Sequence, residues 1–178
     1  MDNFQNNFTA RKSLGQNFIH APHAISAMIH AGNIKPSDIV LEIGPGKGAL
    51  TVKILETGAK VIVIEKDDRA IPFLQDKFKK EIENDQLTLI HDDILEFETE
   101  KYGLFDKKYK IIANIPYYIT GEFIRKFLEN DNQPETIVIM LQKEVAKRIV
   151  DTKESILSIS VKVYGKPKYV LTVPRKFF

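Results

Sequence analysis

Ile39-Val40-Leu41-Glu42-Ile43-Gly44-Pro45-Gly46-Lys47-Gly48 is the stretch that decides the fold. A buried-type strand runs into a glycine-rich turn. Ala49-Leu50-Thr51-Val52-Lys53-Ile54-Leu55 then continues as an amphipathic helix that ends by Gly58. Glycines let the backbone pass close to a ligand, and a helix start leaves N–H groups to meet one. Strand, glycine turn and helix in that order open a doubly wound α/β fold with a mainly parallel sheet. The turn is Gly-x-Gly-x-Gly, not Gly-x-Gly-x-x-Gly, which weakens a pyrophosphate reading.

The next strand, Lys60-Val61-Ile62-Val63-Ile64, ends in Glu65, where a carboxylate can accept from ribose hydroxyls. The third strand, Leu87 to Ile90, leads through His91 to Asp92 and Asp93. Asp93 falls on the same carboxyl edge and can accept from an adenine amine, whereas Asp92 reads better as a cap or loop carboxylate. An adenosine-type cofactor follows, with a nicotinamide dinucleotide and S-adenosylmethionine both open at this point.

Farther along, Tyr109-Lys110-Ile111-Ile112-Ala113 runs into Asn114-Ile115-Pro116-Tyr117-Tyr118-Ile119-Thr120. An amide, a rigid proline and an aromatic ring at a strand end suit a planar base with an exocyclic amine. The Asn114 side-chain oxygen and a nearby carbonyl can accept both amine hydrogens. Pro116 fixes the backbone and Tyr117 offers a stacking face. A strand-ending turn punctuated by Asn and Pro is the plainer alternative.

The rest alternates strands with helices. Residues 1–20 read as an arm. Helices are expected over Ala24–Ala31, closed by Gly32, then Asp68–Lys80, Glu122–Leu128 and Lys143–Val150. Thr136–Leu141 reads as the fifth strand and Tyr169–Val173 as a short last one. Ser155–Tyr164 fits a strand by alternation and a helix by its stripe. The expected strand order is 3-2-1-4-5 plus the last strand, with right-handed crossovers, in one domain over residues 1–178.

Composition is ordinary for a globular domain: 178 residues, 43% hydrophobic and 28% charged. The absence of cysteine excludes disulfides and thiolate metal sites, and the four histidines form no zinc spacing, so no metal is expected. No apolar stretch is long enough to span a bilayer, and the start, Met1 to Asn7, has no signal-peptide core. The expectation is a cytoplasmic, monomeric enzyme.

Net charge is only +2, but Lys143 to Phe178 carries nine basic and three acidic side chains, a local +6. With Arg11 and Lys12 this fits a nucleic-acid footprint or a solvated surface equally well.

The chain resembles the rRNA adenine N6-dimethyltransferase family over essentially its whole length. The matching motifs are Leu14-Gly15-Gln16-Asn17-Phe18-Ile19, Glu42-Ile43-Gly44-Pro45-Gly46, Glu65, Asp93, Asn114-Ile115-Pro116-Tyr117 and Val173-Pro174-Arg175-Lys176-Phe177-Phe178. Lys12 to Phe18 and the Tyr118-Ile119-Thr120 ending favour the branch acting on small-subunit RNA over the macrolide-resistance branch acting on large-subunit RNA.

The resemblance implies a Rossmann-like class I methyltransferase with S-adenosylmethionine as cofactor. It places Asn17, Ile19, Glu42, Gly44, Gly46, Glu65, Asp93 and Asn114 against that cofactor. It places Asn114, Pro116, Tyr117 and Phe178 against the target base. It also implies N6,N6-dimethylation of two adjacent adenines near the 3′ end of 16S rRNA, within a pre-ribosomal small subunit. The family continues past Phe178 into a further strand and a small helical domain, and the loop Asp151–Glu154 is shorter than expected. The alternatives are a large-subunit rRNA methyltransferase, a noncatalytic ribosome-assembly factor, a DNA adenine methyltransferase and an oxidoreductase. The last lacks an evident hydride-transfer acid.

Overall fold

The computed structural model describes residues 21–174 and 177. Asn17, Ile19 and Phe178 lie outside the described residues. Five strands, β1 (Ile39–Ile43), β2 (Lys60–Glu65), β3 (Leu87–His91), β4 (Lys110–Ala113) and β5 (Thr136–Ile139), form one sheet. Their order is β3-β2-β1-β4-β5, and every neighbouring pair is parallel. Helices α1 (Pro22–Gly32), α2 (Ala49–Leu55), α3 (Ala70–Lys77), α4 (Lys79–Glu83), α5 (Thr120–Leu128), α6 (Lys143–Val150) and α7 (Ile156–Lys162), with short 3-10 turns over Thr99–Tyr102 and Tyr117–Ile119, complete the described elements.

Side chains alternate across a strand, so apolar neighbours in sequence must go to opposite faces. Val40, Val61, Val63 and Ile112 join Leu50, Ile54 and Leu74 in one cluster. Leu41, Ile62, Ile64 and Ile111 join Phe123 and Phe127 in the other. Helices therefore cover both faces, which is why the central strands read as continuous apolar runs.

Local rules set the helix ends. Pro22 starts α1, and Asn33, left-handed at φ 45°, caps its end, so Asn33 and not Gly32 takes the terminating conformation. The helix expected over 68–80 is broken at Phe78, which leaves helical geometry at φ −111° between α3 and α4. Residues 156–162 are helical. The Ser155 side chain accepts from the Ser158 amide and Ser158 reaches back to Ser155, a reciprocal cap that decides against the strand.

The expected last strand over Tyr169–Val173 is not present; the segment is irregular. Its alternation still operates, because Leu171 and Val173 pack on the core while Val170 is exposed. Pro167 and Pro174 carry no N–H at either end. The segment and β5 line the same groove of about 1120 Å³, and the segment does not pair with that strand. β5 itself stops at Ile139, two residues before the expected end.

Candidate active site

The strand order reverses direction between β1 and β4, the switch point outside whose carboxyl ends the ligand crevice of an open α/β sheet lies. The registers Ile43↔Ile64, Ile43↔Ala113 and Glu65↔His91 bring the ends of four strands level. Glu42, Gly44, Gly46, Glu65, Asp93 and Asn114 thus meet on one edge, in the spatial order β3, β2, β1, β4.

At the β1 end the Gly44 amide still donates to the Ile64 carbonyl at 3.0 Å before the chain turns. Gly44, Gly46 and Gly48 have φ of 66°, 57° and 74°, a region that other residues enter at a cost. A Cβ on Gly44 would lie 3.4 Å from the Asn114 carbonyl oxygen, so the β1 turn and the β4 end pass close together. A Cβ on Gly48 would meet the Phe78 ring at 2.6 Å. The break between α3 and α4 is therefore where a ring seats the glycine turn.

Glu42 is 1% exposed, and both its carboxyl oxygens are buried without a hydrogen-bond partner. Burial pushes its pKa up to about 8. The Thr51 hydroxyl lies close enough to favour the charged form, yet it is itself buried without a hydrogen bond, so its geometry satisfies neither group. Lys77 reaches in from α3, donates to the Lys47 carbonyl at 2.6 Å and also favours the Glu42 charge. A buried acid with two orphaned oxygens beside an open glycine turn is built to receive a donor or a cation.

Glu65 is also buried, and its pKa is raised by that burial. Its Oε1 accepts from the Asp67 amide at 2.8 Å, and the Gly46 and Lys66 amides favour its charged form. Asp93 differs. Burial would raise it, but an ion pair from the Lys66 ammonium and a 3.0 Å hydrogen bond from the Leu95 amide hold its pKa below the usual range. Asp92 accepts from the Asp93 amide at 2.8 Å, a loop role.

Beyond β4, Ile115 and Ile119 are buried and act as pins, so the residues between them stand at the surface. Pro116 (φ −58°) leads into a short 3-10 turn, Tyr117–Ile119. The Thr120 hydroxyl donates to the Tyr117 carbonyl at 2.9 Å, and the Tyr117 ring is 39% exposed. Asn114 is half-buried at the crevice.

Sequence reasoning missed Lys66 and Lys77. Lys66 was detectable as the neighbour of Glu65, but its partner lies 27 residues on. Lys77 touches a carbonyl 30 residues away, and nothing local signals that.

A family model described as "Ribosomal RNA adenine dimethylase" matches residues 7–178. The chain belongs to the ribosomal RNA adenine dimethylase family. It is 44% identical over 167 residues to ribosomal RNA small subunit methyltransferase A of Dehalococcoides mccartyi strain CBDB1, covering 93% of this chain and 56% of that protein. Against the enzyme of the same name from Fusobacterium nucleatum it is 38% identical, covering 96% of this chain and 64% of the relative. The chain thus spans somewhat over half the length of the curated relatives it matches.

Among solved structures, a dimethyladenosine transferase from Plasmodium falciparum is 36% identical with a TM-score of 0.70, over 83% of this chain and 52% of that one. The 23S rRNA methyltransferase ErmE is 25% identical with a TM-score of 0.66, over 75% and 51%. An RNA methyltransferase from Salinibacter ruber, in complex with S-adenosyl-L-homocysteine, shares the fold at 15% identity and a TM-score of 0.51, over 62% and 67%. The sheet is that of the class I methyltransferases, as expected. Among the described residues no helix is long and apolar enough to cross a membrane, and no cluster of His, Cys, Asp and Glu is placed to hold a metal.

Proposed function

We propose that this chain binds S-adenosylmethionine along the carboxyl edge of the sheet and methylates the exocyclic amine of adenines in small-subunit rRNA. The observation that carries the reading is the order of acceptors along that edge. Asp93, Glu65, the orphaned Glu42 beside the glycine turn, and Asn114 follow β3, β2, β1 and β4. An adenine amine, a ribose diol, a methionine ammonium and a target base come in the same order along the cofactor and its acceptor.

The residues fit such a cofactor. Asp93 is held charged and keeps lone pairs for the adenine amine. Glu65 offers its second oxygen to the ribose. Glu42 lacks a hydrogen-bond partner, and an ammonium would supply one. Gly44 and Gly46 let the backbone approach closely.

When bound, the sulfonium supplies an electrophilic methyl, so the protein needs no nucleophile of its own. Its task is to orient the amine. The Asn114 side-chain oxygen and a neighbouring carbonyl accept the amine hydrogens and favour the rehybridised, more nucleophilic nitrogen. Pro116 holds that carbonyl's backbone in place. Tyr117 stacks on a base that has left its helix, with Phe178, Asn17 and Ile19 assigned to the base and the cofactor by the family resemblance. The small-subunit target is favoured by the curated relatives, which carry that name at 38–44% identity, over the lower identity to the large-subunit enzyme.

The test is direct. This chain and S-adenosylmethionine are added to small subunits from cells lacking the modification, and N6,N6-dimethyladenosine is quantified by mass spectrometry after digestion. Product that vanishes in Asn114→Ala supports the reading. Product only on large-subunit RNA overturns the target. Absence of product beside an active full-length relative assigns docking to the part of the relatives that this chain does not cover.

A further inference from the structure

The loop after β2 holds a second acid that the proposed chemistry does not use. The Asp67 side chain is fully buried, two residues beyond Glu65. Buried carboxylates this close repel, and the Asp67 charge pushes Glu65 toward its neutral form. Arg69 meets Asp67 with its guanidinium. Arg69 donates from Nε to Asp67 Oδ1 at 2.9 Å and from Nη2 to Asp67 Oδ2 at 2.6 Å, a planar fork on both oxygens. The Arg69 backbone amide adds a third donor to Oδ1 at 3.2 Å.

The consequence reaches Glu65 through the backbone. With its side chain tied to Arg69, Asp67 turns its amide onto Glu65 Oε1 at 2.8 Å, and its carbonyl accepts from the Ala70 amide at 3.0 Å at the start of α3. Glu65 Oε1 is thereby occupied and its rotamer set, and in the proposed cofactor reading the second oxygen is the one that accepts from the ribose.

We infer that Asp67 and Arg69 are positioning residues for the ribose-binding carboxylate: the fork aims the Asp67 amide at Glu65 and neutralises the nearest like charge. The inference rests on the cofactor reading above, in which Glu65 accepts from the ribose hydroxyls. A lysine at 69 would keep the charge but not the two-pronged geometry.

The test is calorimetric binding of S-adenosylhomocysteine and its 2′,3′-dideoxy analogue to the 178-residue chain. Wild type is expected to prefer the hydroxylated ligand by roughly tenfold or more, because a site built for hydroxyls rejects a ligand without them. Glu65→Gln should lose most of that preference. Arg69→Met should lower it below about threefold by loosening Glu65, with the dideoxy analogue bound almost as in wild type. Arg69→Lys should fall between. Asp67→Asn, nearly isosteric, loses the charged fork but also removes the like charge, so it should lower the preference less than Arg69→Met, and it serves if the latter does not fold.

A merely structural role would weaken both ligands equally and leave their ratio unchanged, which overturns the inference while the Glu65 reading stands. Equal binding of both ligands by wild type would overturn the ribose reading and the inference together. Hydrogen exchange gives a ligand-free check. The Asp67 amide should exchange at least severalfold faster in Arg69→Met, and unchanged exchange would also overturn the inference.

Discussion

The β1–β2–β3 half of the sheet and the β5–α6–α7 half are built to different standards. β1 and β2 are buried along nearly their whole length, whereas every residue of β5 is only partly covered. Beside β5 runs the open groove, and α7 carries Ile156 at 89%, Ile159 at 50% and Val163 at 72% exposure. In the first half it is polar groups that are buried at a cost: Glu42, Glu65 and Asp67. In the second it is apolar groups that are left in water. The half proposed to hold the cofactor buries polar groups at a cost in stability, and the other half leaves apolar surface exposed. Substitutions should therefore act in opposite senses on the two sides.

Glu42→Gln should have the largest effect on stability. The folded carboxyl titrates at about 8 against an ordinary 4.5. Between those values the native state keeps a proton that the unfolded chain releases, so stability falls as pH rises from about 4.5 to about 8. Glutamine carries no charge and removes that loss. The variant should match wild type near pH 4 and exceed it by on the order of 4 kcal/mol above pH 8 in urea melts. Cofactor affinity should move the other way, because the orphaned acceptor for the ammonium is lost. A stability difference independent of pH would refute the buried, uncompensated charge.

Asn114→Ala, at the border between the halves, should cut methyl transfer about a hundredfold, the scale of removing one oriented polar group from a transition state. Binding of S-adenosylhomocysteine should change far less, since the acceptors on β1–β3 remain. If affinity collapsed in parallel with rate, Asn114 would belong to the cofactor half.

The same glycine-to-alanine change should have opposite signs at two sites. Gly48→Ala puts a Cβ 2.6 Å from the Phe78 ring at φ 74° and should destabilise by about 2 kcal/mol. At Gly121, in the first turn of α5, a Cβ has nothing within 4 Å. Alanine there should stabilise by about 0.5 kcal/mol through the unfolded chain. Paired thermal melts of the two variants check the contrast.

What could be read from the sequence follows the same division. β1, β4 and α6 fall on their expected residues, because apolar runs and a glycine turn are local signals that tertiary packing only reinforces. Glu65, Asp93 and Asn114 were reachable because each stands at the end of a strand or just past it. On the β5 side, the strand expected over 169–173 failed because local sequence carries no information about whether a partner strand will lie within hydrogen-bond reach. The alternation in 155–163 was overruled by two serines three residues apart. The ion pair on Asp93 joins two loops, and the Lys77 ammonium on the Lys47 carbonyl joins the end of α3 to the glycine turn; both are brought together by the fold, which no spacing encodes.

The smallest effects should come from α7. Ser155 and Ser158 satisfy each other's backbone, so Ser155→Ala should cost about 1 kcal/mol, the usual value for a lost cap. Ile156, one residue on, is 89% exposed at the first helical position. Replacing it with glutamate removes almost no buried area and sets an acid at the positive end of the helix. Stability of Ile156→Glu should lie within about 0.5 kcal/mol of wild type, while solubility at high concentration rises. The two variants separate what holds α7 on the sheet from what it presents outward. If Ile156→Glu were as costly as Ser155→Ala, that side chain would be covered in solution, and the contrast between a finished and an open half of the sheet would fail at its most exposed residue.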